Sequence, residues 1–374
     1  MINFEENLEI FCINKVLPYA KEFDQNDDIS KQAILDLFSL GYFEGIAGEK
    51  YNYDTWSNVD IGLTNKVIGK YSPALRTLLT VHGMALISLK RWGRKQLKNE
   101  YINRMASGDY ICSFALSEPL AGSDANSIQT SAELVDDYYI VNGTKDWISF
   151  SNIANGFLTF VLVDNQPTCM LIDSDVEGLV IEKLSSMSAN RGTGMGRLKF
   201  NNCKVPKENI VGGVGNGINL VALYALDFGR FTVSWGALGI ASRCLELTAD
   251  RVKNRVQFGK ALEAHDLVKK IMTEMIVSVK NMELLSFSAA KLRDSKSLDS
   301  IFESWCAKYY NSKMCVEISS NAQQLFGGVG FLSDLEINRL HRESKVLEVI
   351  EGTTQIHELV IAEEYMKKFA NHSV

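Results

Sequence analysis

One carboxylate, Glu351, is singled out by its neighbours among the five glutamates of the stretch VLEVIEGTTQIHELVIAEEY (residues 346–365). Before it lies the apolar run Val346, Leu347, Val349 and Ile350, interrupted only by Glu348, and directly after it come Gly352, Thr353 and Thr354. Such a placement suits proton abstraction. Apolar neighbours desolvate a carboxylate and raise its pKa. Glycine lets the backbone approach a substrate closely. Thr353 or Thr354 can cap the next helix, whose apolar positions begin at Ile356 and continue with Leu359 and Val360. The N-terminus of that helix opposes the effect, because it favours the charged form. A glutamate in a first helical turn is also common without any chemistry attached.

Other side chains are ambiguous when taken singly. Ser117 and Ser123, in SEPLAGSD around Pro119 and Gly122, suit a turn. Trp147 alternates with polar residues and can fill a sheet face. Arg255 suits a surface ion pair of little consequence, as does Arg230 on a helix. Gly327 and Gly328 suit a helix stop. The histidines show no metal-ligand spacing, and no metal site is expected.

The elements that must position these residues fall into three regions. From Asn3 to about Ser107 the pattern is helical. Ile34, Leu37 and Phe38 make one apolar face, Gly41 reads as a stop, and VDIGLTNKVIGKY and LLTVHGMALISLKRWG continue the helices. The segment 110–213 reads as an antiparallel β-domain. YYIVNGTKDWISF gives two strand-like runs around Asn142-Gly143, a hairpin signal, and GFLTFVLVD, CMLID, LVIEKL and RLKFNNCKV are short strands. After GGVGNG (212–217), long helices imply a bundle. Leu262, His265, Val268, Met272, Met275, Val279 and Met282 form one stripe, which reads as core. The expected architecture is α+β, with an N-terminal helical domain (1–109), a middle antiparallel β-domain (110–213) and a C-terminal four-helix bundle (214–374). Neither GGVGNG nor FGGVGF fits the dinucleotide fingerprint G-x-G-x-x-G or opens a βαβ unit.

At 374 residues the chain can bury a large core, and its composition is globular. A net charge of −6 with no basic tail gives no footprint for nucleic acid. The longest apolar runs are too short to span a bilayer. The acidic start has no signal-peptide pattern. Seven cysteines scattered singly argue against a disulfide framework, so the cytoplasm is the expected location.

Five motifs occur in a fixed order: FALSEPLAGSDANSIQT, VNGTKDWIS, RVQFGKAL, QQLFGGVGF and VIEGTTQI. In that order they resemble the acyl-CoA dehydrogenase family over almost the entire chain. The resemblance implies non-covalent FAD between the β-domain and the C-terminal bundle, and a homodimer or homotetramer in which a second subunit completes the flavin site. Phe114, Leu116, Ser117 and Ser123 would line the flavin, with Ser123 also near the substrate thioester arm. Trp147 and Ser149 would flank the ring. Arg255, Gln257 and Phe258 would reach the phosphates and adenine across the interface, with Gln324 and Gly328 as the partner segment. Thr353 and Gln355 would also touch the cofactor.

By the same resemblance Glu351 is the base that removes the C2 proton of an acyl thioester while the C3 hydride goes to flavin. Gly352 and Arg230 would support substrate and loop. Donors aimed at the thioester oxygen would be the backbone N–H of Glu351 and a ribityl hydroxyl. Some branches place the base on the first long C-terminal helix, at the position that is Gly229 here, which strengthens Glu351. Asp266 departs from the glutamine the family commonly has after QFGK. The stretch DFGR followed by TVSWGALGIA resembles the branch of antibiotic and toxin pathways that acts on small acyl groups tethered to an acyl carrier protein. The expected partners are therefore an acyl-CoA or acyl carrier protein, with an electron-acceptor flavoprotein or oxygen. A flavin oxidase or oxygenase on the same fold, and a catalytically idle thioester-binding scaffold, are the alternatives.

Overall fold

The computed structural model describes residues 4–48 and 56–371. Asn3, where the helical pattern begins, lies outside the described residues. The N-terminal helices are α1 (Phe4–Lys15), α2 (Leu17–Asn26), α3 (Lys31–Phe38), α4 (Tyr42–Ala47), α5 (Asn58–Tyr71), α6 (Pro73–Trp92) and α7 (Lys95–Ser107). Their starts follow from local capping. Ser30 accepts from the Ala33 amide at 3.2 Å. Ser57 and Asp60 form a reciprocal capping box, and Ser72 precedes Pro73 at the head of α6. Ile34, Leu37 and Phe38 are buried as their spacing predicts. Helix α3 stops at Phe38, and the left-handed Gly41 (φ 71°) donates its amide to the Phe38 carbonyl at 3.1 Å and also opens α4.

The middle region is one sheet. Its strands are β1 (Cys112–Ala115), β2 (Ser131–Val135), β3 (Tyr138–Ile148), β4 (Gly156–Val163), β5 (Gln166–Asp173), β6 (Leu179–Lys183), β7 (Gly196–Pro206) and β8 (Ile210–Val211). The order is β6-β7-β3-β2-β4-β5-β8, with β1 added to β4. Most pairings are antiparallel, but β1 and the start of β2 run parallel to β4, so the sheet is mixed rather than purely antiparallel.

The hairpin expected at Asn142-Gly143 is not there. Those residues lie inside β3, and the turn between β2 and β3 is at Asp136-Asp137, where Asp136 has φ 54°. A two-residue hairpin turn needs special backbone angles that ladders on both sides of β3 do not allow. Gly143 instead accommodates a register shift against β7, and a Cβ there would lie 2.6 Å from Thr130 Cα.

GGVGNG leads out of β8 into a π-helical turn (Gly217–Ala222) and the long helix α8 (Leu223–Asn254). A small ribbon of β9 (Val256–Gln257) and β10 (Lys260–Ala261) follows, then α9 (Asp266–Asp294), α10 (Ser300–Phe326), α11 (Glu336–Val349) and α12 (Thr354–Asn371). Helices α8 to α11 pack on one another as a bundle, with α12 against α10. In the apolar stripe, Met275 and Met282 are buried and Val268, Met272 and Val279 half-buried, but Leu262 and His265 precede α9. The opposite face of α9 exposes Leu267, Val277 and Leu284.

Helix α5 crosses α8 closely through small residues. The Cα of Gly236 faces Gly69, and a Cβ on Gly239 would meet the Lys66 carbonyl at 2.1 Å. Among the described residues no helix is long and apolar enough to cross a membrane.

Candidate active site

Glu351 lies in the short turn between α11 and α12. It has φ 55° and Gly352 has φ 92°, two successive left-handed residues. Glycine tolerates this conformation; for glutamate it is uncommon and marks a residue held by its surroundings. Two cations hold the turn through consecutive carbonyls. Arg230 Nε of α8 donates to the Glu351 carbonyl at 3.2 Å, and Lys308 Nζ of α10 donates to the Gly352 carbonyl at 2.6 Å. Thr353 Oγ1 then accepts from the Ile356 amide at 3.4 Å, so Thr353 rather than Thr354 caps α12. Arg230 also lies 5.9 Å over the Trp305 ring.

The carboxylate points at α8. A Cβ on Gly229 would sit 2.3 Å from Glu351 Oε2 and 3.0 Å from Met84 Sδ, so the missing side chain is the space that Glu351 uses. Oε2 is buried and accepts no hydrogen bond. Burial pushes the Glu351 carboxyl up to about 7, against the opposing pull of Arg230, Lys308 and Arg76. Desolvation therefore outweighs three cations. The same burial pulls Lys308 down to about 7, with Glu351 acting against it. His357 of α12 is likewise pulled down to about 4, first by burial and then by Lys308. A carboxylate with a free oxygen and a pKa near neutrality is equipped to take up a proton.

The β-domain supplies the second part. Phe114 is the half-buried residue of β1 and packs on Phe160 at 4.9 Å between ring centroids. Leu116 is buried, Ser117 half-buried, and Ser123 exposed on the loop that follows. The Ser117 carbonyl accepts from the Asp146 amide at 2.9 Å, so this loop lies beside the end of β3. There Trp147 is 55 % exposed at φ 61°. An exposed, left-handed tryptophan is not filling a sheet face. Ser149 is half-buried, and its carbonyl accepts from Ser113 Oγ at 2.8 Å. Helix α6 joins the two parts. His82 receives the Cys112 amide at 3.0 Å, and Met84, two residues on, borders Gly229 and Glu351.

The remaining candidates lie elsewhere. Arg255, Gln257 and Phe258 follow the C-terminus of α8, and Phe258 is 95 % exposed. Gln324 and Gly328 are exposed at the end of α10. Arg251 joins these two ends by donating to the Phe326 carbonyl at 3.2 Å. Gly327 (φ 69°) is indeed the helix stop. Helix α8 is continuous from Gly229 to Asn254, which separates this group from Glu351 by about 38 Å at 1.5 Å per residue. Gln355 is exposed in the first turn of α12.

Sequence reasoning missed Lys308, Arg76, Met84 and His357. The signal for Lys308 was faint. It shares a helix face with Ser304, Asn311 and Ser312, all buried, and that face reads as polar.

A buried carboxylate faces a helix recess, and an exposed tryptophan and a polar loop lie at the sheet. Comparisons with known proteins supply the family. The N-terminal, middle and C-terminal domain models of acyl-CoA dehydrogenase match residues 2–109, 113–203 and 215–366. An acyl-CoA dehydrogenase of Bacillus subtilis is 29% identical over 358 residues, 94% of each chain. The human mitochondrial short-chain specific acyl-CoA dehydrogenase is 28% identical over 370 residues, 96% of this chain and 88% of that one. The structure of butyryl-CoA dehydrogenase from Megasphaera elsdenii superposes with a TM-score of 0.92 at 26% identity, covering 97% of both chains. The chain belongs to the acyl-CoA dehydrogenase family, and is an FAD-dependent oxidoreductase that dehydrogenates acyl thioesters.

The residues present fit FAD. Trp147 offers an exposed aromatic face beside the Leu116–Ser123 loop, and the orphaned Thr354 Oγ1 leaves a buried polar atom next to the Glu351 turn.

Proposed function

We propose that Glu351 removes the C2 proton of an acyl thioester as the C3 hydride leaves for the flavin. The observation that carries this reading is the Glu351 carboxylate itself, enclosed against Gly229 with Oε2 unbonded and its pKa raised to about 7. Bound FAD supplies the hydride acceptor. The protein's share is position. Arg230 and Lys308 fix the turn, Gly352 admits the thioester, and the Glu351 amide is the donor proposed for its oxygen. Phe114, Leu116, Ser117, Ser123, Trp147, Ser149, Thr353 and Gln355 are the proposed flavin contacts within the chain, with Ser123 also beside the thioester arm.

We further propose that Arg255, Gln257, Phe258, Gln324 and Gly328 serve the flavin of a second copy. Their separation of about 38 Å along α8 from Glu351 supports this, since one chain cannot bring both ends of the helix to one site. The exposed Phe258, Leu267, Val277 and Leu284 supply apolar area for such an interface. On this reading the protein is a homodimer or homotetramer built from units 1–109, 110–213 and 214–374. The seven cysteines are unbridged, which supports a cytoplasmic setting.

The proposed substrate is a small acyl group, on CoA or on an acyl carrier protein in antibiotic-type metabolism. The DFGR and TVSWGALGIA sequence of α8 favours the carrier protein. Electrons would pass to an acceptor flavoprotein or to oxygen. The test is anaerobic mixing of the yellow protein with panels of acyl-CoA and acyl-carrier-protein thioesters while flavin absorbance is followed. Bleaching by carrier-bound but not CoA-bound small acyl groups is the expected result. The reverse preference sinks the carrier-protein assignment, and no bleaching by either panel sinks the dehydrogenation reading.

A further inference from the structure

The most deeply buried ion pair among the described residues lies outside the Glu351 turn. Lys145 of β3 is fully buried, and its Nζ donates to Glu118 Oε1 at 2.7 Å and to the Leu116 carbonyl at 3.1 Å. The Glu118 carboxylate also accepts the Gln129 amide at 2.6 Å and the Thr130 amide at 3.0 Å. Glu118 and Ala121 exchange backbone bonds of 2.9 and 3.2 Å, which closes the tip of the loop around Pro119. The pair thus fastens three pieces of chain at one point: the loop carrying Leu116, Ser117 and Ser123, the lead into β2, and the strand that ends in Trp147.

Taking two charges out of water is costly, and replacing such a pair by apolar groups is often neutral or stabilising. Fold stability alone is therefore a weak reason for this arrangement. Geometry gives a better one. Lys145 stands two residues before Trp147 and bonds the backbone at Leu116, so it sets the spacing between the two sides of the proposed flavin contact. Burial pulls Lys145 down to about 8, opposed by Glu118. Burial also pushes Glu118 up, but Lys145 and the two amides outweigh it and leave the carboxyl below its usual range.

We propose that Glu118 and Lys145 are positioning residues for the flavin, which hold the Leu116–Ser123 loop at the correct distance from Trp147. The proposal rests on the assignment of that loop and Trp147 to FAD. Holoenzyme is diluted and FAD release followed by the rise in flavin fluorescence, with far-UV circular dichroism and melting recorded on the same samples. The double variant E118Q/K145M keeps an acceptor for one of the Gln129 and Thr130 amides and leaves no unpaired charge, but it removes the bond to the Leu116 carbonyl. It is expected to release FAD at least tenfold more readily than the parent, with dichroism and melting of the FAD-free protein unchanged. Release within twofold of the parent overturns the proposal. Trp147→Ala separates the two levels. If it weakens FAD and E118Q/K145M does not, only the positioning role fails. If neither does, the flavin assignment fails with it. Should the double variant not fold, Lys145→Met alone is measured, which removes the bond to the Leu116 carbonyl and leaves Glu118 on the Gln129 and Thr130 amides, with at least threefold faster release expected and parent-like release overturning the proposal.

Discussion

Glu351 was legible as a candidate base because its surroundings are local in sequence. The apolar run before it and the glycine after it are adjacent residues. The sequence left open the balance between burial and the helix N-terminus, and it did not show the cations that also oppose burial, Arg230, Lys308 and Arg76, which come from three other helices. Burial wins, and the carboxyl rises to about 7. Two outcomes follow at this scale. Glu351→Gln keeps shape and hydrogen-bonding capacity, so fold and flavin should persist while flavin reduction by substrate slows by about 10²-fold or more. Stopped-flow absorbance decides it, and parent-like bleaching excludes Glu351 as the base. Lys308→Gln retains a donor near the Gly352 carbonyl and removes the charge. A lost cation disfavours the carboxylate, so the Glu351 pKa should climb further. The base acts deprotonated, so the rising limb of the reduction rate against pH, expected near 7 in the parent, should move to higher pH by about half a unit or more. An unmoved limb would show that Lys308 acts through its hydrogen bond alone.

Elements were legible where one period governed a segment and misleading where neighbours overrode it. The amphipathic spacing of α3 and the short apolar strands β4 and β5 are local signals, and they hold. Asn142-Gly143 is a local turn signal defeated by pairing on both sides of β3, which no short window of sequence contains. The recess in α8 was half-visible. Gly229 was read as unable to act as a base; its positive role, as the space for the Glu351 carboxylate, depends on contact between segments 122 residues apart. Gly229→Ala puts a methyl 2.3 Å from Oε2, and the flexible carboxylate is what will yield. The fold and FAD content should be unchanged and flavin reduction should fall at least about tenfold, since displacements of an ångström at a reacting group are costly. Gly239→Ala tests packing instead. Its methyl meets the Lys66 carbonyl at 2.1 Å, and backbone cannot step aside as a side chain can. A loss of about 1–3 kcal/mol is expected from forcing α5 and α8 apart, read as a lower melting temperature with the catalytic pH profile intact.

At the scale of the whole molecule, the candidate site was legible as a set of motifs but not as a place. Strand β1, which carries Phe114, and the turn at Glu351 both lie beside α6. The motifs at Arg255–Phe258 and Gln324–Gly328 gather at the other end of α8, about 38 Å from Gly229. Motif order along a chain contains no information about which copy of the chain completes which site. The long helix makes that question decidable. If each flavin site takes Glu351 from one subunit and Arg255 from its neighbour, two inactive variants should repair one another. Arg255→Glu alone should lose FAD readily, and Glu351→Gln alone should keep FAD but reduce it slowly. When the two are unfolded and refolded together, half of the dimers formed at random are mixed. Each mixed dimer then has one site with both native residues and one site with neither. Flavin reduction should recover to about a quarter of the parent level for a two-fold assembly. A site completed within one chain gives no such recovery, because every chain in the mixture then carries one defect. Light scattering on the same sample must give at least twice the chain mass of 41.7 kDa. A mass of one chain with FAD still bound would remove the shared site altogether.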